Sequence, residues 1–477
     1  MIGRREFLRS IATGACTAFL PRAVAQAGAG TGKPNIILCM ADDLGWGDPG
    51  FNGNAVIRTP NLDAMAAGGL RFTRFYAAAP VCSPTRGSCL TGRHPYRYGI
   101  FFANEGHLRD EEVTLAEVLR DQGYATGHFG KWHLGTLLPD YSGKGAGRNP
   151  KENCMTPGRS GFEEWFSTEF AVATWDPYEP ANSHGKSHDV RALYWHNGRN
   201  VTEKLAGCDS RIIMDRALPF MRQAVAAGRP FFAVIWFHAP HAPVVAGPPY
   251  KQMYASYSEG EQHYYGCITA LDEQIGRLRA ELRRLNAADS TMLWFCSDNG
   301  PEGKDGTQGR NRGSAGPFRG RKRDLLEGGI RVPALLEWPA RIQGGQVTDV
   351  PCCTADYYPT VLDLLGFRAQ GQPEPVDGIS LRPLLEGTRR DRPAPIAFES
   401  GTQVALMDER YKLYSQDRGR SYALYDLVAD PGETKDLAAE DPARVAAMKT
   451  KLDGWRESCQ RSLAGRDYRE QQRKEGT

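Results

Sequence analysis

Three short runs constrain the fold more than anything else in the chain. Asn35–Met40, Phe231–Phe237 and Thr291–Cys296 are almost continuously apolar, with no polar alternation. Strands buried on both faces read this way, and such strands belong to parallel sheets covered by helices. Helix signals lie between them. Thr59-Pro60 predicts a helix start as N-cap and first-turn proline, and Gly68-Gly69 its end. Leu70 to Tyr76 is strand-like. Thr114 and Glu117 form a capping box ahead of Leu115, Val118 and Leu119, and Gly123 stops that helix. Ile268, Leu271, Ile275, Leu278 and Leu282 line one helical face. The pattern predicts an α/β fold, with a mostly parallel central sheet flanked by helices.

The texture changes towards the end. Gly366 to Pro395 is rich in Gly, Pro and charge. Strand-like pieces follow at Ile396–Glu399, Gln403–Met407 and Tyr411–Ser415. Asp441-Pro442 then caps a helix with Val445, Met448, Leu452 and Trp455 on one face. These features predict a small C-terminal α+β subdomain with an antiparallel sheet over 366–477, packed on a larger α/β domain over 31–365. Residues 1–30 read instead as a twin-arginine export signal: Arg4-Arg5, an apolar stretch from Ile11 to Leu20, and Ala23-Val24-Ala25 as a cleavage site near Ala25. The signal implies the Tat export machinery as a partner and a periplasmic or secreted protein of bacterial origin. Its apolar run is too short to span a bilayer, so the protein is not expected to be membrane-spanning.

Charge narrows the function. The 59 Lys and Arg nearly balance 56 Asp and Glu, for a net +3. A nucleic-acid-coating protein shows a large basic excess, so nucleic acid is not an expected partner. Eleven scattered cysteines in 477 residues do not make a disulfide scaffold.

The three apolar runs end alike. The first gives way to Asp42-Asp43, the second to His238-Ala239-Pro240-His241, the third to Asp298-Asn299. Ligands of open parallel sheets bind beyond the carboxyl ends of the strands, so these groups belong to one candidate site. Asp42, Asp43, Asp298 and Asn299 offer only oxygen donors. Adjacent carboxylates repel unless a cation sits between them, and hard oxygen donors suit Ca²⁺, or less well Mg²⁺.

A longer motif gives the site its chemistry. Cys82-Ser83-Pro84-Thr85-Arg86 continues as Gly87-Ser88-Cys89-Leu90-Thr91-Gly92-Arg93. This resembles the signature of the type I sulfatases of the alkaline phosphatase superfamily, such as arylsulfatases and N-acetylgalactosamine-6-sulfatases. Gly123-Tyr124-Ala125-Thr126 through Gly130-Lys131-Trp132-His133-Leu134-Gly135 resembles the second signature. Ser297-Asp298-Asn299-Gly300, Glu327-Gly328-Gly329-Ile330-Arg331-Val332-Pro333 and Leu424-Tyr425-Asp426-Leu427 also match. The resemblance implies that a formylglycine-generating enzyme oxidises Cys82 to an aldehyde. The hydrated aldehyde attacks sulfur with one hydroxyl, and the other expels sulfate as the aldehyde re-forms. Pro84 allows a helix to start near Cys82, placing that group where amide N–H groups favour an anion. Arg86 follows one turn on.

The resemblance assigns the remaining roles. Asp42, Asp43, Asp298 and Asn299 match calcium ligands, joined by residue 82. Asp298 is the expected base. Lys131 and His133 match sulfate-pocket residues, and two-residue spacing in an extended segment would point both the same way. His241 matches the histidine on the sulfate or leaving oxygen, with His238 as alternative. Lys322 matches the proton donor to the leaving group, although Arg321 and Arg323 stand where glycine usually flanks that lysine. The blander reading of Arg319 to Arg323 is a solvated basic loop.

The leading function is therefore hydrolysis of O-sulfate monoesters of a sulfated small molecule or saccharide, the latter preferred. The alternatives are a phosphate mono- or diesterase of the same superfamily and a catalytically dead sulfate- or glycan-binding protein. Specificity is expected from the loops Asp140–Arg199 and Gly99–Arg109, with Trp175, Tyr178, His184, His188 and Trp195 as candidate sugar contacts.

Overall fold

The apolar runs become neighbouring strands. A computed structural model describes residues 32–143, 149–179, 193–303 and 310–468. Four parallel strands make the centre of the main sheet: β1 (Asn35–Ala41), β3 (Ala125–Lys131), β7 (Phe231–Trp236) and β8 (Thr291–Ser297). They stand in the order β8-β1-β7-β3. Every residue of the four is buried. The register aligns Met40 with Trp236 and Ala41 with Ser297. The carboxyl ends of all three predicted strands thus lie at one edge.

Towards the margins the sheet is mixed. Beyond β3, β4 (Glu164–Thr168) is parallel, and β5 (Trp195–His196) and β6 (Arg199–Asn200) run antiparallel. On the other side β9 (Arg331–Glu337) lies antiparallel to both β8 and β2 (Leu70–Tyr76). β10 (Gln346–Thr348) and β11 (Cys352–Cys353) pair parallel with β2. Period and hydropathy carry no strand direction, so the mixed margins were not readable from the runs.

Helices cover both faces. α1 (Pro60–Gly68) starts at the predicted proline, but the Thr59 side chain does not cap it. Asp272, on the Glu259–Arg284 helix, accepts the N–H groups of Asn61 and Leu62 instead. The Thr114–Glu117 capping box is present. Ile268, Leu271, Ile275, Leu278 and Leu282 are all buried in the core on one side of the sheet.

β12 (Ile396–Ser400), β13 (Gln403–Met407), β14 (Tyr411–Ser415) and β15 (Ala423–Asp426) form a separate antiparallel sheet. The Pro442–Leu463 helix, capped by the Asp441 side chain, packs Met448 and Leu452 against one face of it. The other face meets Tyr76, Leu325 and Ile330 of the larger layer. Buried ions join the layers as well. Lys412 on β14 lies 3.2 Å from Glu327 and 2.9 Å from Glu433. Both sheets belong to one compact unit.

Candidate active site

Cys82 is the first residue of α2 (Cys82–Thr91), a helix buried along its whole length. The Thr85 hydroxyl donates to the Ala79 carbonyl at 2.9 Å and so secures the turn that enters the helix. One turn on, the Arg86 guanidinium reaches three groups. Nη2 donates to Asp298 at 2.6 Å and lies 3.4 Å from Asp42, and Nη1 donates to the Lys131 carbonyl at 3.2 Å. The guanidinium also sits 5.1 Å from the centre of the Trp236 ring, a cation–π contact.

The strand ends supply the carboxylates. Asp298 N–H donates to the Ala41 carbonyl, and Asp43 N–H to Asp298 Oδ1 at 3.1 Å. Asp43 has φ +67°, which turns the chain sharply after Asp42. Lys131 at the end of β3 donates to Asp42 at 2.6 Å. Lys322 lies 2.7 Å from Asp43 Oδ1. Asn299 Nδ2 donates to the same oxygen at 2.7 Å. His241 Nδ1 donates to the Ala242 carbonyl, leaving Nε2 3.7 Å from Asp43. Gly300 lets this loop pass the Glu327-Gly328-Gly329 segment, since a Cβ there would lie 1.9 Å from the Gly328 carbonyl oxygen.

Three carboxylates and three cations thus interleave in a buried volume. Burial opposes the charge on Asp42, but Lys131 and Arg86 hold its carboxyl well below the usual range. Burial, reinforced by Asp42, pushes Asp298 up to about 7. Burial lowers His241 to about 4, leaving a neutral imidazole. Burial also works against Lys322, yet Asp43 keeps its ammonium above the ordinary value. Burial raises the Cys82 thiol against the pull of Lys131 and Lys322.

The donor set fits a hard divalent cation. One ligand atom from each of Asp42, Cys82 and Asp298 lies within 4.8 Å of the others, and the same holds for Asp42, Asp43 and His241. Asp42 Oδ1 and Asn299 Oδ1 are buried with no hydrogen-bond partner among the described residues. Buried oxygens without partners are costly unless something coordinates them.

Two expectations change. The Lys131–His133 argument assumed an extended chain, but β3 ends at Lys131 and His133 has φ +60°. His133 Nε2 bonds Asn104 Oδ1 at 2.7 Å, and the Asn104 N–H donates to Ser83 at 3.4 Å. His133 therefore connects to the mouth of α2, whereas Lys131 enters the carboxylate cluster. Among the candidate sugar contacts, Tyr178 and Trp195 are buried in the hydrophobic cores, and Trp175 packs edge-on against Tyr250. Aromatic residues in a loop sequence carry no mark of which way they face. His184 and His188 lie outside the described residues.

The histidine register also separates. His238 is fully buried, 2.7 Å from Asp209 and 2.8 Å from the Thr168 hydroxyl, with Tyr194 donating to Asp209 at 2.6 Å. The Thr168 and Glu169 carbonyls accept the N–H groups of Trp132 and His133. His238 thus braces the second signature from behind, and His241 faces the carboxylates. Sequence reading did not single out Asp209, Thr168, Asn104 or Trp236. None carries a local signal, because their roles depend on neighbours distant in the chain.

A family model described as "Sulfatase" matches residues 34–367. The chain belongs to the sulfatase family. A second model, "N-sulphoglucosamine sulphohydrolase, C-terminal", matches residues 316–458. The sulfatase is 35% identical to N-acetylgalactosamine-6-sulfatase of Homo sapiens over 386 residues, 76% of this chain and 67% of the relative. It is 32% identical to arylsulfatase A of Homo sapiens over 463 residues, 87% of this chain and 86% of the relative. The crystal structure of "Ps i-CgsB in complex with k-i-k-neocarrahexaose" superposes with a TM-score of 0.77 at 27% identity, covering 89% of this chain and 93% of that one. The fold is the α/β fold of the alkaline phosphatase superfamily, and the sulfatase is a sulfuric ester hydrolase. No helix among the described residues is long and apolar enough to cross a membrane.

Proposed function

We propose that this sulfatase releases sulfate from a sulfated carbohydrate, using a formylglycine made from Cys82. The observation that carries the proposal is the place of residue 82. It begins a buried helix, and Asp42, Asp298, Arg86, Lys131 and Lys322 crowd around it. A relative named N-acetylgalactosamine-6-sulfatase and a similar structure in complex with k-i-k-neocarrahexaose support the carbohydrate class.

Formylglycine supplies a hydrated aldehyde as the nucleophile toward sulfur. The chain's own residues orient the reaction. Asp298 accepts the proton from the attacking hydroxyl, its position held by Arg86 Nη2. Lys131 and Arg86 face the sulfuryl oxygens, where charge is shared in the transition state. Lys322 and His241 line the Asp43 side, with Lys322 as proton donor to the leaving alcohol. His133, on its Asn104 contact, assists sulfate release. Asp42, Asp43, Asp298 and Asn299, with residue 82, would hold Ca²⁺, which lowers the cost of anionic charge at the site.

The remaining readings are maturation by a formylglycine-generating enzyme, Tat-directed export to the periplasm or beyond with cleavage near Ala25, and a domain junction near residue 365. The sulfatase model's end at 367 supports the junction.

Mass spectrometry of the tryptic peptide holding Cys82, from the native host, is the decisive measurement. The aldehyde mass is expected, and thiol throughout would sink the mechanism. Cys82→Ala should abolish sulfate release while calcium binding persists. Asp42→Ala should lower bound calcium by elemental analysis; unchanged content would overturn the ligand set.

A further inference from the structure

Arg323 stands beside the site, and none of the chemistry above uses it. Its neighbours Arg321 and Lys322 are buried, so the Arg319–Arg323 segment is not simply a solvated basic loop. The Arg323 backbone has φ +80°, where a long side chain is uncommon. Two hydrogen bonds hold it there. Its N–H donates to the Pro80 carbonyl at 2.9 Å, and its carbonyl accepts from Gln403 Nε2 at 2.7 Å. Pro80 lies just before Cys82, so the clamp fixes Arg323 against the entrance of the nucleophile's helix.

Glu302 then aims the guanidinium. Nη1 donates to Oε1 at 2.7 Å, and Nη2 to Oε2 at 2.9 Å. That Oε2 is also 3.5 Å from Lys322 Nζ, so one carboxylate bridges an inner cation and an outer one. Burial opposes the Glu302 charge, but Arg323 and Lys322 hold its carboxyl at about 2. The Arg323 side chain is 53% exposed. Nε and the outward N–H bonds of its fork make no hydrogen bond among the described residues. Its charge is coupled first to Glu302 and also to Asp43 and Cys82.

Within the cluster Asp42, Asp43 and Asp298 pair with Arg86, Lys131 and Lys322, and outside it Glu302 pairs with Arg323. Arg323 is thus not surplus charge; what it offers is planar N–H donors still open among the described residues. A planar fork recognises an oxyanion with two parallel hydrogen bonds. We propose that Arg323, carried by Glu302, binds a second anionic group of the substrate. The preferred substrates are then saccharides that bear another sulfate or a carboxylate beside the scissile sulfate. The inference rests on the active-site reading above and adds a specificity-determining residue to it.

The test uses the matured full-length enzyme and three probes: 4-nitrophenyl sulfate, a disulfated monosaccharide, and a monosulfated disaccharide containing a uronate. Wild type should favour at least one of the two dianionic probes. Arg323→Gln should lower the ratio of kcat/KM on that probe to kcat/KM on 4-nitrophenyl sulfate about tenfold, mainly through KM. Arg323→Lys should restore part of the ratio, since it returns the charge without the fork. A fall on the disulfated probe identifies a sulfate, and a fall on the uronate probe a carboxylate. An equal loss on all three probes, or a ratio that moves less than about twofold, overturns the proposal. Wild type that releases no sulfate from any probe overturns the active-site reading as well.

Discussion

Arg86 is the residue on which most of the site converges. It pairs with Asp298, approaches Asp42, donates to the Lys131 carbonyl and lies over Trp236. An ammonium cannot span these partners or stack on an indole in the same way. Arg86→Lys should therefore lower kcat/KM on 4-nitrophenyl sulfate by roughly 10²- to 10³-fold with the circular dichroism spectrum preserved. Activity within about threefold of wild type would remove Arg86 from the machinery. The two histidines of the His-Ala-Pro repeat should separate by type of defect. His241→Ala should lower turnover with little change in melting temperature. His238→Ala leaves Asp209 buried without its imidazole partner, and should cost about 3 kcal/mol in urea unfolding. The reverse pattern would exchange their assignments. From sequence, the gathering of Asp42, His241 and Asp298 was legible because each follows an apolar run at a strand end, and Cys82, Arg86 and Lys131 stood out because their motifs are contiguous. The brace behind them was not, since Asp209, Thr168 and Tyr194 reach His238 only when separate segments fold together.

At the scale of elements, Asp272 shows how one helix starts another. Its carboxylate takes the N–H groups of Asn61 and Leu62 at the start of α1, a role the sequence pattern assigned to Thr59. The local pattern could place the cap residue but could not reveal a competing acceptor more than two hundred residues away. Burial raises Asp272 to about 6, against the donors it accepts. A carboxyl raised in the folded state binds protons there that the unfolded chain has released. Its stabilising contribution is complete below about pH 4 and is lost as pH rises through about 6. Asp272→Asn cannot titrate. The stability of wild type relative to Asp272→Asn should thus fall by about 3 kcal/mol between pH 4 and pH 7, measured by urea unfolding. A difference independent of pH would show that Asp272 does not titrate in this window. The strand elements were the most legible part of the chain, because fully apolar runs have few other places to go.

Across the whole molecule, a buried ionic network joins the two sheets. Lys412 stands between Glu327 and Glu433, and all three are inaccessible to solvent. Glu327 also accepts from Tyr76 at 2.9 Å and follows the loop that carries Lys322 and Arg323. The small sheet thereby holds the far side of the loop that carries Lys322 and Arg323. Lys412→Met would leave two buried carboxylates facing each other, and should destabilise the protein by about 3–5 kcal/mol in chemical denaturation. A loss below about 1 kcal/mol would show that this ionic network contributes little to joining the layers.

What the amino-acid sequence determined by itself was local: which runs are buried strands, where helices begin and end, and which motif sets Cys82 and Arg86 one helical turn apart. Each depends on spacing within a few residues. The tertiary structure decided the rest. It set His241 beside Asp43 and His238 against Asp209, gave His133 a left-handed backbone beyond the end of β3, placed Trp236 beneath Arg86 and tied Arg323 to Pro80 ahead of Cys82. These outcomes depend on strand order and on loops crossing between strands. Both are set by burial of the whole core, which no short stretch of chain can encode.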